Sequence, residues 1–259
     1  MTAIETYLEM ARSAARQAAR IVMEVYRSGD LSTRERAEKG PVTRADQLAH
    51  QLLNRELAGT GLPVLSEEGA GMAYSIRQAW EWYWLVDPLD GTREFVDGIA
   101  EFTVNIALIH RGRPVAGVIA VPAEDRMYAG SAETGVLKWD HGRCRLLLPL
   151  EQRTPFAALK ARDSLRILVS RSHPSAATRE FIAPFRNKIL VPCGSSLKFL
   201  LLAEGQADLY PRLGPTMEWD TAAGHALLNA LNRGVYQLDL TSELVYNKPD
   251  LLNPFFVAF

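Results

Sequence analysis

The chain is poor in the groups that soft-metal and covalent chemistries need. Its 259 residues hold two cysteines, Cys144 and Cys193, far apart and outside any C-x-x-C or Cys/His ligand spacing, and five histidines that do not cluster. That speaks against a structural zinc site or a disulfide framework and fits a reducing compartment. No apolar run approaches the ~20 residues a membrane-spanning helix requires. Neither sign of charge dominates: 29 Lys+Arg against 30 Asp+Glu leave a formal net charge of -1, which provides no global basic field for a nucleic-acid polymer. A G-x-S-x-G nucleophile elbow is missing, so a Ser-His-Asp hydrolase is unsupported. An Asp-x-Asp pair of the kind that forms an aspartyl phosphate is missing too. No internal repeat or low-complexity segment occurs.

The composition that remains, 47% hydrophobic and 23% charged, suffices for a substantial core in one large domain or two small packed ones. The N-terminal segment carries Glu5, Glu9 and Glu24 among its arginines and reads as neither signal peptide nor membrane span. Ile4, Leu8, Ala11, Ala15, Ala18, Val22 and Val25 instead follow the spacing of an amphipathic helix. Arg12, Arg16 and Arg20 share its polar face, which we read as solvated, with contact to an anionic membrane surface as the alternative. Residues 28 to 46 are polar and turn-rich. Thr43 is a plausible N-cap for a second helix, placing Asp46 in its first turn. Two short strands ending at "SEE" and "VDPLD", then a run punctuated by Gly-Arg, Pro and Glu-Asp turns, predict an antiparallel meander.

Periodicity is lost around 146 to 164, where Pro149 and Pro155 suggest a boundary. We therefore expect an α+β part over 1–155 and an α/β part over 156–259, since strands and helices alternate beyond that point.

The carboxylates are the informative feature. Glu67 and Glu68 end one predicted strand, Asp87 and Asp90 end the next, and Asp220 starts a helix after Trp219. Singly, each has an ordinary reading as loop, turn or helix cap. Converging, they need a cation, because burying several ionised carboxylates together costs several kcal/mol each without one. With no histidine or cysteine cluster nearby, the ion is a hard one, and Mg²⁺ typically shares its coordination with water and phosphate oxygens. The Asp87-Pro88-Leu89-Asp90 turn can add the Leu89 carbonyl, and the Gly91-Thr92 backbone N–H groups that follow suit a phosphate. This is the pattern of metal-assisted phosphate-ester hydrolysis.

These segments, "PVTRAD", "SEE", "DPLDGTREF" and "WDTAAG", resemble the inositol monophosphatase superfamily of Mg²⁺-dependent, lithium-sensitive phosphatases, in the same order and over residues 40 to 224. "GSSLKFLLLAEGQADLYPRLGPT" and "SRSH" resemble, within it, the CysQ-type 3'(2'),5'-bisphosphate nucleotidases. The resemblance implies a layered α/β/α/β/α sugar-phosphatase fold and hydrolysis of adenosine 3',5'-bisphosphate to AMP and phosphate, with the 5'-phosphosulfate analogue as a further substrate. An inositol or sugar monophosphatase is the alternative. It also implies two or three Mg²⁺ ions: Glu67, Asp87 and the Leu89 carbonyl at the first, Asp87, Asp90 and Asp220 at the second, and Glu68 in an outer shell or at a third. Asp46 and Thr92 would orient and deprotonate the attacking water. His173, Ser195, Lys198, Arg212 and Asp220 would face the nucleotide. A cytoplasmic location is expected, with peripheral contact at the inner membrane face as a variant and a small nucleotide bisphosphate as the partner.

Overall fold

The computed structural model describes residues 2–29, 33–36, 40–69, 71–171 and 175–259. His173 lies outside the described residues. The first apolar stripe forms helix α1 (Ala3–Ser28), which starts at a capping box between Thr2 and Glu5 and ends at Gly29, whose φ of 71° an L side chain rarely adopts. Ala11, Ala14, Ala15, Ala18, Val22 and Val25 are buried. Small side chains along this stripe let α1 lie close to helix α2 (Arg44–Ala58) and the sheet below. The polar segment between the two helices, expected only as turns, contains a strand pair, β1 (Thr33–Arg36) and β2 (Gly40–Thr43). Thr-Arg-Glu-Arg offers no alternation of apolar and polar residues, so pattern alone could not reveal it.

A seven-stranded sheet follows: β3 (Val64–Ser66), β4 (Trp82–Asp90), β5 (Thr103–His110), β6 (Arg113–Val121), β7 (Arg126–Ser131), β8 (Gly135–Asp140) and β9 (Arg143–Leu147), in spatial order identical to chain order. Only β3 and β4 run parallel; the rest form the expected meander. Short helices α3 (Tyr74–Arg77) and α4 (Thr92–Val96) flank β4.

Strand period 2 divides the sheet's residues between two cores. Trp84, Val86, Ile106 and Val118 face α1 and α2. Tyr83, Leu85, Ala107, Ile109 and Ile119 face the opposite way, onto later helices. Both faces are covered, which is why these strands read as nearly continuous apolar runs.

The second half supplies α5 (Phe156–Lys160), β10 (Leu165–Ser170), α6 (Ala176–Ile182), β11 (Lys188–Cys193), α7 (Leu197–Ala203), β12 (Tyr210–Arg212), α8 (Glu218–Ala230), β13 (Val235–Gln237) and β14 (Phe256–Ala258). Strands β10 and β11 pair in parallel, and β14 sits between β12 and β13 with both pairings antiparallel. A parallel bridge from Ile167 to Leu209 joins the two groups. Helices α7 and α8 fill the space between the sheets, and a third core of Leu159, Ile167, Ile182, Phe185 and Val257 closes the outer face with α5 and α6. The layers are thus α/β/α/β/α. Close approach of α8 to β6 requires Gly117, where a Cβ would stand 2.4 Å from the Ala223 carbonyl oxygen. Among the described residues, no helix is long and apolar enough to cross a membrane.

Candidate active site

The parallel register pairs Leu65 with Leu85 and Ser66 with Val86, so Glu67 emerges beside Asp87. Against β5, Asp87 faces Asn105 and Asp90 faces Thr103, which leaves one extra residue on β4 between the two aspartates. Pro88 lies within this bulge, where its missing N–H breaks no ladder bond. Asp220 arrives from the first turn of α8. It is not the N-cap of that helix: the cap is Met217, and the Asp220 carboxylate accepts the Met217 N–H at 2.8 Å from three residues further in. One carboxylate oxygen each from Asp87, Asp90 and Asp220 lie within 4.8 Å of one another.

Three carboxylates this close repel, and removal from water sharpens the cost. Burial first, then Glu67, Asp90 and Asp220, push Asp87 well above the usual carboxylate range. Burial and then Asp90 and Glu67 do the same to Asp220. Asp90 is pushed up to about 6, burial outweighing the opposing charges of Lys198 and Arg212. Asp87 Oδ1 accepts the Leu89 N–H at 3.1 Å, but its Oδ2 is buried without a hydrogen-bond partner. A buried, unpartnered carboxylate oxygen inside an acidic cluster fits a hard divalent cation.

Behind the cluster, Asp46 stands three residues into α2. Its Oδ2 accepts both the Thr43 N–H at 2.7 Å and the Thr43 hydroxyl at 2.5 Å, completing a capping box. Its Oδ1 accepts the Thr92 hydroxyl at 3.2 Å, and the Leu89 carbonyl lies 3.1 Å from the same hydroxyl. Burial raises Asp46 to about 6 against the two Thr43 hydrogen bonds. Two residues 46 apart in sequence are therefore in direct contact at the cluster's edge. Gly91, between Asp90 and Thr92, has φ 91°, and a Cβ there would stand 2.7 Å from the Glu101 carbonyl oxygen.

A cavity of about 750 Å³ opens over these groups and is lined by Glu67, Asp90, Gly91, Thr92, Asp220 and, from the second half, Ser195, Lys198 and Arg212. Lys198 is less available than its sequence suggested. Its buried ammonium donates to the carbonyls of Cys193 at 3.0 Å and Ser195 at 2.5 Å, holding the turn before α7. Arg212 donates through Nε to Thr216 Oγ1 at 2.7 Å and through Nη2 to the Pro215 carbonyl at 2.8 Å while flanking the cavity. Sequence reasoning did not single out Glu101 and Arg171, which pair at the rim, or the buried chain from Thr103 to Ser196 Oγ (2.7 Å) to Asn105 Oδ1 (2.7 Å). Their partners lie 70 to 93 residues away in the chain, beyond any local pattern.

A five-layer fold with clustered carboxylates at a strand bulge defines a class, and the comparison with known proteins agrees. The model of the inositol monophosphatase family matches residues 3–254, and the chain belongs to that family of phosphatases. Within it, the 3'(2'),5'-bisphosphate nucleotidase CysQ of Shigella flexneri is 42% identical over 226 residues, covering 86% of this chain and 87% of that protein. The nucleotidase of the same name from Salmonella typhimurium is 39% identical over 252 residues, covering 96% and 98%. Among solved structures, CysQ from Bacteroides thetaiotaomicron, described as a bacterial member of the inositol monophosphatase family, superposes with a TM-score of 0.84 at 40% identity, covering 98% of this chain and 96% of that one.

Proposed function

We propose that this chain is a Mg²⁺-dependent 3'(2'),5'-bisphosphate nucleotidase that hydrolyses the 3'-phosphate of adenosine 3',5'-bisphosphate to AMP and phosphate, and that it accepts the 5'-phosphosulfate analogue as well. The observation that carries the reading is that one cavity is lined both by the acidic cluster and by Ser195 and Arg212. A substrate with two separated phosphates can use both sets of groups. The relatives named as bisphosphate nucleotidases, near 40% identity over most of the chain, support the same choice.

Glu67, Asp87, Asp90, Asp220 and the Leu89 carbonyl would hold two ions, with Glu68 in an outer shell or at a third. Such ions, when bound, supply charge neutralisation at the phosphoryl group and lower the pKa of a coordinated water. Asp46 holds the Thr92 hydroxyl by accepting its proton, which leaves the Thr92 oxygen free to accept a proton from the attacking water. Asp46 is the final base of this relay, and its raised pKa brings its basicity toward neutrality, where general-base catalysis works best. The Gly91 and Thr92 backbone N–H groups hold the phosphate, and Arg212 pairs with the second one; an arginine can do so in bidentate fashion.

The rival reading, an inositol or sugar monophosphatase on the same scaffold, gains from one observation: the Lys198 ammonium is committed to two carbonyls, which weakens the nucleotide side. Phosphate release with and without Mg²⁺ from adenosine 3',5'-bisphosphate, inositol 1-phosphate and fructose 1,6-bisphosphate separates the two. The nucleotide should be preferred. A preference for inositol 1-phosphate would establish the rival.

A further inference from the structure

The turn from Cys193 to Ser196, between β11 and α7, carries Ser195 in the left-handed region at φ 42°. A non-glycine residue stays there only when its surroundings over-determine it. Lys198 ties the carbonyls of Cys193 and Ser195 from within the turn's own helix. Further ties come from residues 101 to 105, across the seam between the two halves. Thr103 and Asn105 hold the Ser196 hydroxyl. Glu101 Oε2 accepts the Gly194 N–H at 2.6 Å.

Glu101 is itself held. Arg171, just past β10, donates Nε to Oε2 at 2.8 Å and Nη2 to Oε1 at 2.6 Å, and reaches the Pro192 carbonyl at 3.3 Å. The pair keeps Glu101 ionised, below the usual carboxylate range. Gly194 fits closely here: a Cβ would stand 3.0 Å from Glu101 Oε2 and from Glu94 Cγ, so those side chains would have to give way. The main chain of Glu101 meanwhile abuts Gly91, so its backbone touches the Gly91 turn and its carboxylate the neighbouring Gly194–Ser195 turn. Neither Glu101 nor Arg171 lines the cavity itself.

We propose that Glu101, oriented by Arg171, is a positioning residue that fixes the Ser195 turn and thereby the wall receiving the part of the substrate beyond the hydrolysed phosphate. The proposal rests on the nucleotidase reading. It assigns Arg171 to the Glu101 carboxylate and not to a substrate phosphate, although it is a cation at the mouth of the site. Replacing the side chain leaves the Gly91 contact intact because that contact is to main chain. Specificity should suffer, and chemistry should not.

The test compares the full-length wild type with Glu101→Ala, Glu101→Gln and Arg171→Met, on adenosine 3',5'-bisphosphate and on p-nitrophenyl phosphate, which has no nucleoside. For Glu101→Ala, KM for the nucleotide should rise about tenfold, the worth of one charge-assisted hydrogen bond. Its kcat and its kinetics on the aryl phosphate should be unchanged. Glu101→Gln keeps an acceptor for the Gly194 N–H and should recover most of the KM; Arg171→Met should fall between. Equal losses on both esters, a fall in kcat without a KM change, no change at all, or Gln as poor as Ala would each overturn the assignment. Should Glu101→Ala show no cooperative melt, Glu101→Gln and Arg171→Met carry the same comparison, with Arg171→Met alone expected to raise the nucleotide KM. The nucleotidase reading is judged separately, on the wild type: no preference for the nucleotide bisphosphate over inositol 1-phosphate overturns that reading, whatever the variants do.

Discussion

Asp46→Asn is the sharpest perturbation of the proposed relay because the geometry dictates what the amide must do. Both donors of Thr43 converge on Oδ2, so the Asn carbonyl oxygen has to take that position and its NH₂ group turns toward Thr92. The Thr92 hydroxyl then accepts from the amide and must redirect its own proton to the Leu89 carbonyl, 3.1 Å away. Its oxygen can no longer pass a proton to a base. The expected loss in kcat is roughly 10²-fold or more, a typical general-base contribution, with KM changed by less than about threefold. Thr92→Ala should cost a similar factor. Because the two side chains act as one unit, the double variant should lose little more than the worse single one.

The sign of the pH effect follows from Asp46 having a folded pKa of about 6 against an ordinary 3.8. Ionising it costs stability, so its contribution falls as pH rises between those values, and the Asn variant should lack that slope. Wild-type kcat/KM should fall on the acid side of about pH 6. The assay is phosphate release at saturating Mg²⁺, with thermal melts in parallel. Fully additive losses in the cycle, or an Asn variant near wild-type turnover, would refute the relay and return Asp46 to the role of a first-turn helix carboxylate.

Asp90→Asn should abolish turnover yet leave the chain folded, and substantial activity in saturating Mg²⁺ would sink its assignment as a ligand. Burial raises Asp87, Asp90 and Asp220 together, with repulsion from the other cluster carboxylates adding to it at Asp87 and Asp220, so the chelator-treated protein should melt higher at pH 5 than at pH 7.5. Added Mg²⁺ should remove that difference; a melting temperature independent of both pH and Mg²⁺ would contradict the cluster's electrostatics. Lithium should inhibit at millimolar or lower concentration, and insensitivity at limiting Mg²⁺ would count against the expected chemistry. Gly91→Ala places a Cβ 2.7 Å from the Glu101 carbonyl oxygen at φ 91°. It should destabilise by roughly 1–3 kcal/mol, measured by urea unfolding, and an unchanged midpoint would show that the turn can relax.

Much of this site was legible because a charge problem leaves a local trace. Two aspartates around a proline at the end of an apolar strand announce an uncompensated cost, and β4 delivers both to the cluster with its bulge between them. The Thr43 cap put Asp46 three residues into its helix, and that geometry is what the structure shows. The substrate side left a weaker trace. Lys198 reads as a phosphate ligand when only its charge is known, but the carbonyls it holds belong to a turn whose shape no periodicity encodes. Glu101 and Arg171 lie 70 residues apart, and each alone reads as an ordinary surface charge. The β1–β2 pair escaped because its residues carry no apolar alternation. Pattern alone showed the middle layer only as helices, since covering a helix on two sides depends on where distant strands return; that they form a layer was implied by the family resemblance, and the structure has it.

The position of β14 has a consequence for how the protein comes into being. The seven-stranded sheet is built from neighbours in sequence and can assemble while the ribosome is still adding residues, which arrive at roughly 5–20 per second. The second sheet cannot. Its middle strand, residues 256–258, must slot between β12 and β13, made much earlier. Until then Arg212 on β12 lacks its finished support, and α7 and α8 face only a partial second sheet. A nascent chain would thus carry a nearly complete acidic cluster long before it has a substrate wall, exposing the apolar faces of two helices during that interval. Hydrolytic competence should appear in one late step after residue 258 is made, and chaperone dependence should concentrate in the stretch of translation just before it.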